Sequence, residues 1–343
     1  MVAATITVGA GPVGIAVDPA GTRAYVANNN AGSVSVIDTA TRTVVGEPIA
    51  VGTNPYGIAI NPDGGAVYVT NYGDSTVSVI RTATGTVTGT IPVGGGPYGI
   101  AMAPDGTTAY VADYDDGTAS VISTTTDTVT ATVPVGSSPV GVVVSPDGAT
   151  VYVTDNGAGT VVAVDAATRT LTGTPVPVGI RPTDVALSAS GATLYVTNFR
   201  SGTVSVVDTA TASVSATIDV GGTPVGVAVA PDETAVFVTD YGSGTVSVVS
   251  TGPVSVAPTG PEQAPAQQFS VPAGTTAGQC AGVAPTDVDW PGLVGMHDRG
   301  WQISYAAWPN SGTGRWVCTR QPSLTGTTWT VRTRLPTRAG HGS

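Results

Sequence analysis

Lysine is absent from this chain, and all 12 basic side chains are arginine. Schiff-base chemistry is thereby excluded. Only two histidines occur, His297 and His341, both far toward the C-terminus. The first 250 residues therefore cannot assemble a histidine acid, base or metal cluster. Charged residues make up only 10% of the sequence. No apolar run approaches the length of a membrane span. No signal peptide is visible, because Thr5-Ile6-Thr7-Val8 already reads as a strand. That leaves a cytoplasmic protein, or one whose leader has been removed or lies outside this sequence. Neither a Gly-x-Ser-x-Gly elbow nor a phosphate-binding Gly-rich loop is present. The two cysteines, Cys280 and Cys318, both lie late in the chain.

What the sequence does hold is one pattern written six times. Each copy runs Val-Gly-x-x-Pro-x-Gly, a short apolar stretch, Pro-Asp-Gly or a variant, then Tyr-Val-Thr-Asn or a variant. Thr-Val-Ser-Val-Ile-Asp or a variant closes it. Pro12, Pro55, Pro97, Pro139, Pro182 and Pro224 mark the copies, at intervals of about 42 residues. That period, filled with short strands and no helix pattern, predicts a β-propeller with one blade per copy. In the second copy, Gly57–Ile60 reads as the innermost strand and Ala66–Thr70 as the second. Thr76–Ile80 reads as the third and Thr86–Val93 as the outermost. Asn61-Pro62-Asp63-Gly64 forms the turn after the first. The inner strand is flanked on both faces by neighbouring blades, so it stays small and apolar. Thr and Ser return at alternate positions farther out. Tyr25, Tyr68, Tyr110, Tyr152, Tyr195 and Phe237 recur on the second strand and are expected as packing between blades.

The expected fold is all-β: a six-bladed β-propeller of four-stranded antiparallel blades over residues 1–250. A small C-terminal β domain follows. Thr5–Val8 matches an outer-strand ending such as Ile91-Pro92-Val93. It is therefore expected to complete the last blade beside Thr245–Val249 and hide its edge. The competing arrangement makes Val254-Ser255-Val256 that outer strand and leaves part of the tail as an atypical seventh blade.

The motifs resemble the YVTN family of β-propeller repeats. The name-giving residues stand as Tyr68-Val69-Thr70-Asn71 and Tyr195-Val196-Thr197-Asn198. Variants begin at Tyr25, Tyr110, Tyr152 and Phe237. The resemblance covers about residues 4–250. It implies a secreted or cell-surface setting and supplies no family-wide catalytic residue. The family's rings are often seven-bladed, from which six copies depart.

Loops before the inner strand and between the second and third strands share one face of a propeller. That face gathers Asn28, Asn71, Asp113, Asp155, Asn198 and Asp240. Beside them fall Tyr72, Tyr114, Phe199 and Tyr241, with Tyr56 and Tyr98 at the channel mouth. They either form a polar and aromatic platform for a glycan or an extended peptide, or they cap loops and cover seams between blades. In the fifth copy Asp184 replaces the repeated Gly, and Arg181 and Arg200 join it on the same face. With Asn198 and Phe199 they make a candidate polar focus for an anionic or hydroxylated ligand, or a structural Arg–Asp pair. Asp113, Asp115 and Asp116 form one dense carboxylate group, a weak calcium candidate without EF-hand spacing. No cofactor is expected.

Residues 1–250 carry 19 acidic and 6 basic side chains, a net charge of −13. Such a surface repels phosphate backbones, so nucleic acid is not an expected partner. Residues 251–267 turn to Pro, Ala, Gly and Gln and read as a linker. Residues 268–343 hold all five tryptophans and read as a small β domain with a disordered end. Its expected strands are Gln268–Val271, Trp301–Ala307, Gly314–Thr319 and Thr328–Thr333. A Cys280–Cys318 disulfide suits so small a core and implies export; a reduced, buried pair is the alternative. The functional expectation is a non-enzymatic, extracellular or cell-surface scaffold that binds a protein or glycan on its loop face. An enzyme acting on a small molecule at the channel mouth, lactonase- or synthase-like, is the alternative. A structural surface-layer component is a further one. Oligomeric state is not readable.

Overall fold

The computed structural model describes residues 4–251, 293–298, 301–306 and 315–320. Two compact units divide between Val254 and Ser255. The first is the propeller of six blades, each an antiparallel meander running outward from its inner strand. In the second blade the strands are Pro55–Ile60, Ala66–Asn71, Thr76–Arg81 and Thr86–Pro92. The turn glycine Gly64 takes φ +72°, a conformation open to glycine because it has no Cβ. The equivalent inner strands of the other blades begin at the repeated prolines. In the first blade the outer strand is split into Thr43–Val44 and Ile49–Ala50. Gly46, at φ +71°, and Pro48, which lacks an N–H, lie in the break.

The core lies between blades. Tyr25 packs toward Val67, Val69 and Ile80 of the second blade. Tyr68 packs with Ala109, Val111 and Ile122 of the third. The second-strand tyrosines are thus packing groups, and four of them are buried. The Tyr68 hydroxyl also donates to Asp127 of the third blade at 3.1 Å. Phe237, their counterpart in the sixth blade, is 43% exposed.

Two backbone devices fix the spacing of the inner strands. A Cβ on Gly14, Gly57, Gly99 or Gly141 would fall on a carbonyl oxygen of the next blade, that of Tyr56, Tyr98, Val140 or Thr183. Only glycine permits that approach. The threonine of Tyr-Val-Thr-Asn supplies the second device. Thr70 Oγ1 accepts the Gly57 N–H at 2.7 Å and donates to the Tyr98 carbonyl of the next blade at 2.7 Å. Thr154 and Thr197 repeat this toward the carbonyls of Thr183 and Val225. Each hydroxyl satisfies a backbone donor in its own blade and an acceptor across the seam.

The sixth blade departs from the expectation. Among the described residues it has three strands, Pro224–Val229, Ala235–Asp240 and Thr245–Ser250. Residues 4–8 do not pair with Thr245–Ser250 and form no strand. Instead, Ile6 and Val8 pack against Ala24, Val26, Ile37 and Val44 of the first blade. Val93 of the second blade's outer end holds the matching place beside the third blade. The segment therefore follows an outer-strand path over the first blade, but its backbone groups do not join the last sheet. Val246 and Val248 of the sixth blade stay 58% and 59% exposed, and Ile15 of the first 64%. Thr239, the last clamp threonine, accepts the Gly226 N–H, but its hydroxyl reaches only the Gly226 carbonyl at 3.4 Å in its own blade.

In the second unit Leu293–Asp298, Trp301–Ala306 and Arg315–Arg320 form an antiparallel meander. The last two match expected strands, and the first was not anticipated. Gln268–Val271, Thr328–Thr333, the linker and Cys280 lie outside the described residues. No helix among the described residues is long and apolar enough to cross a membrane.

Thr70→Val should strand both the Gly57 N–H and the Tyr98 carbonyl and cost about 1–3 kcal/mol in denaturant unfolding. Thr239→Val should cost less than half as much, since its hydroxyl spans no seam. Deleting residues 1–8 should lower the melting temperature by several degrees through exposure of the apolar face under Ile6 and Val8.

Candidate functional site

The loop face divides into saturated and open parts. Asn71 and Asn198 are fully buried. The Asn71 amide donates to Thr76 Oγ1 and Ser78 Oγ at 3.0 and 2.9 Å, and its carbonyl accepts the Gly52 N–H. Asn198 makes the same bonds to Thr203, Ser205 and Gly179. Asp155 and Asp240 accept N–H groups of their own loops. These residues hold the loops, and their bonding groups are engaged there.

Asp113 occupies the same position with the wrong chemistry for it. A carboxylate cannot donate, so Thr118 and Ser120 donate to its Oδ2 at 3.0 and 2.7 Å. Its Oδ1 is buried without a partner. Burial pushes its pKa up to about 6, against the lowering effect of the two hydroxyls. The calcium candidate is not assembled. Asp113 is directed into the blade, and Asp116 accepts the Gly95 N–H at 2.7 Å. Among the described residues no group of three or more His, Cys, Asp or Glu could hold a metal.

The aromatic candidates separate sharply. Tyr56 and Tyr98 are the second residues of adjacent inner strands. Tyr72 and Tyr114 stand in the loops between second and third strands. All four are half-buried, and three of the rings surround Tyr98. Ring centroids lie 3.8 Å from Tyr98 for Tyr56, 5.9 Å for Tyr72 in an edge-to-face arrangement, and 6.0 Å for Tyr114. Burial, and then the Tyr56 hydroxyl bonded to it, raise the pKa of Tyr98. Burial, and then the Asp115 carboxylate beside it, raise that of Tyr72. Both phenols stay protonated at neutral pH. Exposed Asp115 lies beside Tyr72, Asp116 follows it in the same loop, and Asp74, exposed in the second blade's loop, accepts the Thr53 N–H through Oδ2 at 2.6 Å. Tyr241 stands apart on the sixth blade, 82% exposed.

The fifth-blade residues are dispersed. Arg181 and Arg200 are exposed on the loop face. Arg181 holds φ +54°, where the equivalent residues are Gly11, Asn54 and Gly96. Its carbonyl accepts the N–H of Phe199, and the Arg200 N–H donates to the Ile180 carbonyl. Asp184 lies inward. Its oxygens accept the N–H groups of Val185 at 2.9 Å and of Val227 in the sixth blade at 3.0 Å, and neither arginine is a partner. Enclosure without a counter-charge raises its pKa to about 6, against those two bonds. A shallow cavity of about 280 Å³ under the second blade's loops is lined in part by Asn71, Asp74, Thr76 and Ser78. The first two already bond within their loops.

Reading the sequence named the four tyrosines without placing them in one cluster. It missed Asp115 as the neighbour of Tyr72. It also missed the unpartnered Asp113, whose only signal was Asp for Asn at a repeat position.

Comparison with known proteins agrees on the architecture. A family model described as "Lactonase, 7-bladed beta-propeller" matches residues 87–217, less than half of the chain. No curated protein matches the sequence. Among solved structures, one titled "Kuenenia stuttgartiensis Hydrazine Synthase" is 21% identical at a TM-score of 0.53 and covers 72% of this chain and 97% of that one. A functionally unknown protein from Desulfotomaculum acetoxidans is 20% identical at a TM-score of 0.59, covering 67% and 79%. At such identities the likeness is one of fold.

Asp113 yields a pH-dependent prediction. Its folded-state pKa is raised, so its contribution to stability is complete below about pH 4. It falls as pH rises toward about 6 and is flat above. Asp113→Asn should restore the amide bonding of Asn71 and stabilise the propeller by about 1–3 kcal/mol at pH 8. Near pH 4 the two proteins should unfold almost alike. A constant difference across that range in urea titrations would refute the buried carboxylate.

Proposed function

We propose that this propeller is a non-enzymatic binding module that presents its loop face to a glycan or protein ligand outside the cell. The tyrosine cluster around Tyr98 carries this reading. Four partly exposed rings converge here: the other inner strands place Val or Thr where Tyr56 and Tyr98 stand, and the aromatics that recur at the loop position in the fifth and sixth blades, Phe199 and Tyr241, join no such cluster. Aromatic faces with polar edges are suited to both sugar and peptide recognition. The Tyr-Val-Thr-Asn signature, with its threonine acting between blades, supports YVTN-type membership and thus the secreted or cell-surface setting. A Cys280–Cys318 disulfide in the tail would accord with export.

Tyr72→Ala and Tyr114→Ala should each weaken ligands found on glycan and peptide arrays at least about tenfold while leaving the melting curve nearly unchanged. Retention of full binding by both variants would remove this site.

A second reading is favoured by one observation: Asp184 is half-buried on the inner strand, unpaired with a cation, and its pKa is raised to about 6 by burial. Such a carboxylate suits general-base work on a small lactone at the channel mouth, in keeping with the lactonase-type match over residues 87–217. Lactone hydrolysis that Asp184→Asn abolishes would establish this reading over the first.

A further inference from the structure

We propose that the tyrosine cluster of the second and third blades is a docking site for an arginine-bearing peptide segment, an inference that rests on the binding-module reading above. Three independent features select that partner.

The first is the rings. Tyr98, Tyr72 and Tyr114 offer aromatic surface at centroid separations of about 6 Å, and all are half-exposed. A guanidinium plane stacks on such faces through the ring quadrupole. Neutral phenols keep those faces unchanged at physiological pH, and Tyr72 and Tyr98 are both held in that form.

The second is the rim. The exposed carboxylate of Asp115 lies beside Tyr72, and exposed Asp116 follows it in the same loop. Asp116 uses one oxygen on the Gly95 N–H, leaving the other for an incoming donor. Carboxylates accept the guanidinium fork bidentately, which an ammonium group cannot match.

The third is the absence of competition. Among the described residues of the propeller, the arginines on the loop face, Arg181 and Arg200, belong to the fifth blade. The loops of the second and third blades contain none. The field of the propeller, net −13 over residues 1–250, draws a cationic segment toward the face, and the rings select among those that arrive.

The test uses the full chain and a labelled hexa-arginine peptide, followed by fluorescence anisotropy at about 50 mM and about 500 mM salt. Hexa-arginine should bind at low salt and weaken at high salt, and hexa-lysine should bind less tightly. Tyr114→Ala, and separately Asp115→Asn with Asp116→Asn, should each weaken hexa-arginine about tenfold or more. The control Asp105→Asn with Asp232→Asn alters turns on the opposite face and should change binding less than about twofold. Because the double Asn variant keeps side-chain size and acceptor oxygens, it reports on charge without dismantling the loop. Equal weakening by the control pair, equal affinity for hexa-lysine, or no binding at low salt would overturn the proposal. If glycans bind and Tyr114→Ala abolishes them while hexa-arginine does not bind, the binding-module reading survives and the peptide proposal falls.

Discussion

The ring depends on how closely one blade's backbone can approach the next. Where Gly14, Gly57, Gly99 and Gly141 face the following inner strand, no side chain fits between the two chains. Contact at that distance brings a carbonyl within reach of a hydroxyl in the preceding blade, which Thr70, Thr154 and Thr197 supply. The same approach seals the apolar clusters between blades, in which Val and Ala predominate. Small residues suffice because the inner strands sit so close. The largest buried side chains, Tyr25, Tyr68, Tyr110 and Tyr195, sit on the second strand, where the wedge widens.

The fifth seam shows what happens when this rule is broken. Asp184 stands where glycine is otherwise required, and its carboxylate bridges instead to the Val227 N–H. Thr183 joins Thr197 in bonding the Val225 carbonyl. A polar link thus replaces direct backbone approach, at the cost of an enclosed acid with a raised pKa. The seam between the sixth and first blades has neither device. Gly226 meets no carbonyl of a following blade, the inner strands Pro12–Val17 and Pro224–Val229 do not pack closely as the other neighbouring pairs do, and apolar side chains on both sides, Ile15, Val246 and Val248 among them, are exposed.

Much of the fold was legible because each copy repeats its own punctuation. Proline starts the inner strand, Pro-Asp-Gly turns it, and alternation marks the third strand. One copy checks another, so strand ends fall within about two residues of expectation. Closure was less legible. Thr5–Val8 has the composition of an outer strand, but composition does not determine which edge it joins, and apolar packing on the first blade does not require sheet pairing. The site was legible as a set of residue types only. Arg181, Asp184 and Arg200 are neighbours in sequence register, yet the side chain of Asp184 is on the inner strand and the arginines are in exposed loops. Spacing along a repeat conveys the face of the ring and leaves depth unspecified.

The loop position after Tyr-Val-Thr-Asn argues most directly that the tyrosine cluster serves something other than the fold. In the first and fourth blades it holds asparagine. Asn29 donates across the seam to the Pro55 carbonyl at 3.1 Å, and Asn156 to the Pro182 carbonyl at 2.9 Å. Those are stabilising bonds between blades, available to any copy that keeps the amide. The second and third copies carry Tyr72 and Tyr114 there and forgo them, as the fifth and sixth do with Phe199 and Tyr241. Tyr72 and Tyr114 are not buried as core; they remain partly exposed around Tyr98. Stability alone would favour asparagine in all copies, because the acceptor carbonyl recurs at every seam between consecutive blades. Phe199 forgoes the bond too, so what sets the second and third copies apart is convergence: Tyr72, Tyr114 and Tyr56 gather around Tyr98, and partly solvated rings gathered in this way are accounted for by a ligand that contacts them.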